Sequence, residues 1–276
     1  MITRHHTIRL TLLALAAWTL PGQSFDHSAW DRVLKAHVNP IGEVDYAAVK
    51  ASRADLDRYI AQLADASPVN RPQLFPARAH HLAYWINAYN AFVTKGVVDS
   101  WPTKSVRNLG ALYGFFRRKD YTAGGVRISL LHLEDEILRK QLPDPRIHFA
   151  IVCASLSCPY LAPDAYTADR LDQQLDQAAR LYVNQRRNFT PDPARNTLTL
   201  GAVYGLRDYV KDFEAVAGPG KFLDYLRRYL TDENRRALDA LKNPKVKFYD
   251  YDWSINDPGA RLRSTNPLER DLARPS

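Results

Sequence analysis

The stretch "ARAHHLAYWINAYNAFVTKGVV", residues 77–98, constrains the fold more than any other part of this chain. Leu82, Trp85, Ile86, Tyr89, Phe92 and Val93 recur at helical spacing. They form an apolar face so wide that a central, largely buried helix is the expected outcome. Two polar residues sit inside it: Asn87 and Asn90 are three apart and share a face. Asn is a poor residue for a helix interior, so both need hydrogen-bond partners or exposure. A polar network that fixes helix packing meets that need. Orienting a catalytic imidazole, or holding a substrate carbonyl, meets it equally.

The rest of the chain falls into short elements. Residues 28–37 and 51–64 read as helices, the second with Leu56, Tyr59, Ile60 and Leu63 at helical spacing. "ASPVNRPQLFP" is a proline-rich loop, and residues 99–125 are loop-like with a short strand at most. "ISLLHLEDEILRKQL" is predicted helical, capped by Ser129. "IHFAIVCAS" is short, apolar and β-branched, and is the best strand prediction in the chain. "TADRLDQQLDQAARLYVNQ" is an amphipathic helix with Thr167 as its expected cap. Short strands are predicted at "NTLTL" and "VKFYDYDW", and short helices at "GLRDYVKDF", "GKFLDYLRRYL" and "DENRRALDALK". No repeat or linker divides the sequence. The expected class is α+β: a mainly helical single domain with a small β-sheet.

The ends are set apart by composition. Arg4 and Arg9 precede the apolar run "LTLLALAAWTL" and then "PGQS". That order is a secretory signal, expected over residues 1–24. The run is shorter than the roughly 20 residues of a membrane-spanning helix, and no integral span is expected after signal removal. A single globular domain is expected over residues 25–256, followed by a basic tail without fixed structure over 257–276. The expected location is periplasmic or secreted. The net charge of +8 comes partly from these ends, and no basic run is interleaved with aromatics, so no nucleic-acid partner is expected.

Both cysteines, Cys153 and Cys158, lie in "IHFAIVCASLSCPYL". On a strand, Cys153 would be a core residue at the strand end, and Cys158 would lie in the turn held by Pro159. Export permits a disulfide between them. A metal site assembled from His132, His148, Cys153 and Cys158 matches no standard ligand spacing, so no metal and no cofactor is expected. A reactive thiol at Cys158 would need an imidazole to generate thiolate, and an amide or carboxylate to orient that imidazole. His148 is nearest in sequence; His132, His80 and His81 are the other candidates. Glu134, beside the apolar Leu133, Ile137 and Leu138, is either paired with an arginine such as Arg139 or poised for acid–base work. Asp252, in the aromatic "YDYDWSIN", is a candidate for the acid that orients the imidazole.

In order along the chain, "YWINAYNAF", "ISLLHLEDEILR", "DPRIHFAIVCASLSCPYL", "LGAVYGLRDYVKDF" and "YDYDWSIN" resemble the family called domain of unknown function 547. The resemblance runs from about Tyr46 to Asn256, and its most specific part is the cysteine-containing block. It implies that Asn87, Asn90, Glu134, Arg139, His148, Cys153, Ser157, Cys158, Pro159, Asp252, Trp253 and Asn256 occupy the family's motif positions. Where the family often has a histidine after the motif glutamate, this chain has Asp135. A remote relation to papain- and transglutaminase-like folds is the accompanying expectation.

The functional expectation is an exported thiol-dependent enzyme for acyl transfer or amide hydrolysis. Cys158, His148 and Glu134 are its expected catalytic residues. Asn87, Asn90, Arg139, Ser157, Asp252 and Asn256 are the expected binding residues, and a peptide or small molecule is the expected ligand. The alternative is a non-catalytic binding module with the same polar core.

Overall fold

The computed structural model describes residues 24–110, 113–206 and 209–273. The signal-peptide expectation, apart from Ser24, lies outside the described residues. Three helices lead in: α1 (Ser28–His37), α2 (Tyr46–Ala51) and α3 (Ala54–Asp65). They pack around α4 (Arg78–Asp99), which is buried almost all round from Leu82 to Val98. A helix with apolar side chains on every face is stable only at the centre of a core. Gly96 lets that centre close up, since a Cβ there would stand 2.5 Å from both the Phe115 ring and the Tyr121 hydroxyl.

Beyond α4, the expected loop contains α5 (Gly114–Arg117) and β1 (Asp120–Ala123). β1 pairs antiparallel with β2 (Val126–Ser129). The Ser129 hydroxyl then accepts from His132 N at 3.2 Å, as a cap should, and opens α6 (Leu130–His132). α6 continues as a wide-turn helix over Leu133–Gln141, closed by an i→i+5 bond from Leu142 N to Ile137 O. α7 (Leu171–Val183) follows the cysteine region. Its N-cap is Arg170, whose carbonyl accepts from Gln174 N; Thr167 lies in the turn before it, where its carbonyl accepts from Arg170 N, and does not supply the expected hydroxyl cap.

A second sheet holds β3 (Phe189–Asp192), β4 (Thr197–Leu200) and β5 (Lys245–Phe248) in the order β3-β4-β5. β3–β4 is antiparallel and β4–β5 parallel. Between β4 and β5 lie α8 (Tyr209–Ala217), α9 (Phe222–Arg227) and α10 (Asp232–Asp239). The α+β class therefore holds, with two small sheets in place of one. No helix among the described residues is long and apolar enough to cross a membrane.

The core has two parts. One surrounds α4; the other, around Phe149, Tyr182, Tyr204 and Phe213, joins α7, α8, α9 and the second sheet. Tyr251 packs against both.

Two further sequence expectations fail. "IHFAIVCAS" is not a strand: Pro145–Phe149 is a 3-10 helix, with Pro145 in its first turn and the Asp144 carboxylate accepting from Arg146 N. Beyond it, Asn90 does what a neighbouring strand would do. Its Nδ2 donates to Ala150 O at 3.0 Å, and its Oδ1 accepts from Val152 N at 2.9 Å. With those backbone groups satisfied, the β-branched residues report burial and not a ladder. The second failure is the tail. Residues 257–273 fold back as α11 (Ala260–Arg263) and α12 (Pro267–Leu272), with Arg261 and Glu269 each 1% exposed.

His27, on the approach to α1, carries a pH dependence. Its Nδ1 lies 2.7 Å from the Tyr59 hydroxyl and 3.2 Å from Asn87 Nδ2, both donors. Burial pulls its pKa down to about 4; Asp26 opposes this and His80 adds to it. The unfolded chain takes up the proton near the usual 6.5. The contribution to stability is thus complete above that value and is lost as pH falls towards 4. The unfolding free energy of the wild type, from urea titrations, should fall across this window by up to about 3 kcal/mol more than that of His27→Gln. Parallel pH profiles for the two proteins would contradict the assignment.

Candidate functional site

The cysteine region is shaped by its partners. Ala154 takes a left-handed φ of 64°, which turns the chain after Cys153. Residues 154–157 then run alongside 252–256: Asn256 N donates to Ala154 O, Leu156 N to Ser254 O, and Ser157 N to Asp252 O. From below, two buried arginines hold the loop's carbonyls. Arg187 donates to Leu156 O, and at 2.9 Å to Cys158 O; Arg261 donates to Leu156 O at 3.3 Å. Glu269 lies between the two guanidinium groups and pairs with both. Gly42, at φ +69°, lets the preceding turn press against this loop, since a Cβ there would meet Tyr160 Cβ at 2.6 Å.

In this setting Cys153 and Cys158 form a disulfide. Cys158 is the buried member and Cys153 the half-buried one, the reverse of the expectation from strand alternation. Cys158 Sγ accepts from Cys153 N at 3.0 Å. The Tyr251 hydroxyl lies 3.0 Å from Cys153 Sγ, 3.2 Å from Cys158 Sγ and 2.9 Å from Ser155 Oγ. Burial pushes the Tyr251 phenol well up, so it stays a proton donor.

The disulfide lines a cavity of ≈ 260 Å³ at the seam between the two cores. His148, Glu134, Tyr89, Tyr209, Tyr251 and Trp253 line it as well. The Glu134 carboxylate accepts from the Tyr89 hydroxyl at 3.2 Å and from the Tyr209 hydroxyl. His148 Nε2 lies 2.8 Å from Asp212 Oδ2, and Arg139 grips the same carboxylate through Nε at 2.6 Å. Burial would raise the Asp212 pKa, but the bonds from His148 and Arg139 outweigh it and hold the group at about 2. An ionised carboxylate needs a donor, so the proton of a neutral imidazole belongs on Nε2 and Nδ1 carries the lone pair. That Nδ1 is buried and has no hydrogen-bond partner among the described residues. The ring stacks on Tyr209 with centroids 4.0 Å apart, which fixes its plane.

The three expected catalytic residues, Cys158, His148 and Glu134, therefore line one cavity. Among the described residues, however, no hydrogen bond joins an imidazole nitrogen to either sulfur. The expected binding residues lie behind the walls, and none is among those lining the cavity. Asn87 bonds both ways with the backbone of Tyr166, as Asn90 does with Ala150 and Val152. Ser157 Oγ accepts from Asp252 N, and Asp252 accepts from Ser254 N and Ser264 Oγ. Asn256 joins Tyr46 to Gly42. Arg139 acts through Asp212, and also pairs with Asp135 at 3.1 Å. The acid at the imidazole is Asp212, not Asp252 or an asparagine of α4.

Four residues of the site were not singled out from sequence: Tyr89, Tyr209, Asp212 and Tyr251. Each lies inside a motif block, but nothing in the spacing of "GLRDYVKDF" tells which of its residues reaches His148.

Residues 73–183 match a family model described as "Protein of unknown function, DUF547". No curated protein and no solved structure matches the chain. The matched stretch holds α4, Glu134, Arg139, His148 and both cysteines; Asp212, Tyr251 and the 252–256 segment lie beyond it. The chain thus carries a domain of the DUF547 family.

Proposed function

We propose that this chain is an exported thiol-dependent enzyme for acyl transfer or amide hydrolysis, with Cys158 as nucleophile and His148 as base. One observation carries the reading. His148, its Nε2 committed to Asp212 and its Nδ1 without a partner, lines the same cavity as Cys158. An imidazole oriented by a third group and placed beside a thiol is the arrangement nucleophilic catalysis needs.

The disulfide makes the oxidised form inert. A dithiol reductant would return both sulfurs to thiols, its own sulfurs becoming the disulfide. Cys158 thiolate would then keep two donors, Cys153 N–H and the Tyr251 hydroxyl, both of which favour the charged form. His148 takes the thiol proton, the sulfur attacks the acyl carbon, and the leaving amine departs with that proton. Water, giving its own proton to His148, then cleaves the thioester. A remote papain- or transglutaminase-like ancestry belongs with this proposal.

The second reading is a binding module. It is favoured by the closed disulfide and by the lack of an imidazole–sulfur hydrogen bond among the described residues.

Peptide mass spectrometry separates the two after p-nitrophenyl acetate is added to reduced protein. An acetyl group on Cys158 is expected in the wild type, and none in Cys158→Ser or in unreduced protein. A reduced wild type without an adduct on Cys158 would leave the binding module as the better reading.

A further inference from the structure

A disulfide opens when a thiolate attacks one of its sulfurs and expels the other as thiolate. The attacked sulfur must be reachable, and the departing one must have its charge stabilised. The two sulfurs of this bridge differ in both respects. Cys158 is 6% exposed and belongs to the core around α4. Cys153 is half-buried and only packs against that core.

The departing side is prepared as well. Cys158 Sγ already accepts from Cys153 N, and the Tyr251 hydroxyl lies 3.2 Å away. The Ser155 hydroxyl, 2.9 Å from the Tyr251 oxygen, can donate to that oxygen and leave the phenol proton for sulfur. Tyr251 also reaches Cys153 Sγ, at 3.0 Å. Once the bridge is opened at Cys153, however, that sulfur is neutral and Cys158 alone carries charge, so the phenol proton turns to Cys158. The donors stay in place meanwhile. Asn90 holds Val152 N beside the Cys153 amide, and Arg187 holds Cys158 O.

We infer that Cys153 is the sulfur on which incoming thiols act, and that Tyr251 stabilises the Cys158 thiolate that departs. A thiolate, from a monothiol or one arm of a dithiol, bonds to Cys153 Sγ. The Sγ–Sγ bond breaks and its electron pair stays on Cys158, which is reduced as the incoming sulfur is oxidised. A second thiolate then attacks the sulfur of the first and releases Cys153, and the two reductant sulfurs leave as a disulfide. In the proposed enzyme, a single thiol thus frees the nucleophile and leaves its own adduct on Cys153. That consequence rests on the acyl-transfer reading. The exchange itself does not, and it is measured without an acyl substrate, so either can fail alone.

The test adds 2-mercaptoethanol to oxidised full-length protein and stops the exchange with acid at early times. Free thiols are then alkylated with N-ethylmaleimide, and fragment ions that cut between Cys153 and Cys158 locate the adduct. The mixed disulfide should form on Cys153 roughly tenfold more often than on Cys158. In guanidinium chloride that preference should disappear, because burial no longer separates the two sulfurs. Tyr251→Phe keeps the ring and its packing on Trp253, 4.3 Å away. It should slow opening roughly tenfold without moving the adduct, since it removes only the donor to the departing sulfur. Should that variant not fold, Ser155→Ala, which deprives the phenol of its own donor, should slow opening in the same direction. An adduct mainly on Cys158, an even split, a preference that survives unfolding, or no adduct at all would overturn the choice of Cys153. Opening at the wild-type rate in the folded variant would overturn the role of Tyr251.

Discussion

Glu269→Gln should destabilise this protein by about 3–5 kcal/mol, the cost of removing one partner from a buried ion pair. Glu269 is 1% exposed and joins Arg187 to Arg261, which are 3% and 1% exposed. The variant leaves two guanidinium groups facing each other away from water, and burial already pulls the Arg261 pKa down. Part of the loss will be local. Both arginines hold the Leu156 carbonyl, and Arg187 also holds that of Cys158, so the cysteine loop loses its floor. For a chain of this size the thermal midpoint should drop by roughly 10 °C. Amides of residues 260–272 should exchange faster than those of α4. A midpoint within about 2 °C of the wild type's would mean that the triad does not hold the C-terminal segment down.

Asp212→Asn should cost the proposed reaction about 10²–10⁴ in rate, the usual contribution of a positioned base. The fold should survive, because the Asp212 side chain is 27% exposed and the substitution keeps its shape. The carboxylate does two things. In the proposed reaction it would keep the imidazole proton on Nε2 and compensate the charge that His148 would acquire on taking the thiol proton. An amide of the same shape does neither reliably, since its NH₂ can face Nε2 and turn the tautomer round. Arg139 then loses its acidic partner at position 212 but keeps Asp135.

How much of this was legible in the sequence depends on the range of the interaction. The apolar face of α4 is a local pattern, and the helix lies where that pattern puts it, buried at the centre. Ser129 caps its helix because a cap needs only the next few residues. The cysteine run was misread because its backbone partners, Asn90 and residues 252–256, are far away in sequence, whereas β-branched content looks the same in a strand and in a buried loop. The tail was misread for a related reason. Arg261 and Glu269 look like solvated charges until Arg187 brings them inside. Within the site, His148, Glu134 and both cysteines could be named from the sequence, and they share a cavity. Asp212 could not, because 64 positions separate it from His148 and many acids compete for that role.

The most direct measurement is the pH dependence of Cys158 alkylation in reduced protein, read by peptide mass spectrometry for the wild type and for Asp212→Asn. In the wild type, Cys158 should react with an apparent pKa well below the ordinary thiol value of about 8.5, and in the variant that pKa should move back towards it. A wild-type Cys158 that titrates at or above the ordinary value, or a variant indistinguishable from it, would contradict the claim that Asp212 and His148 activate this sulfur.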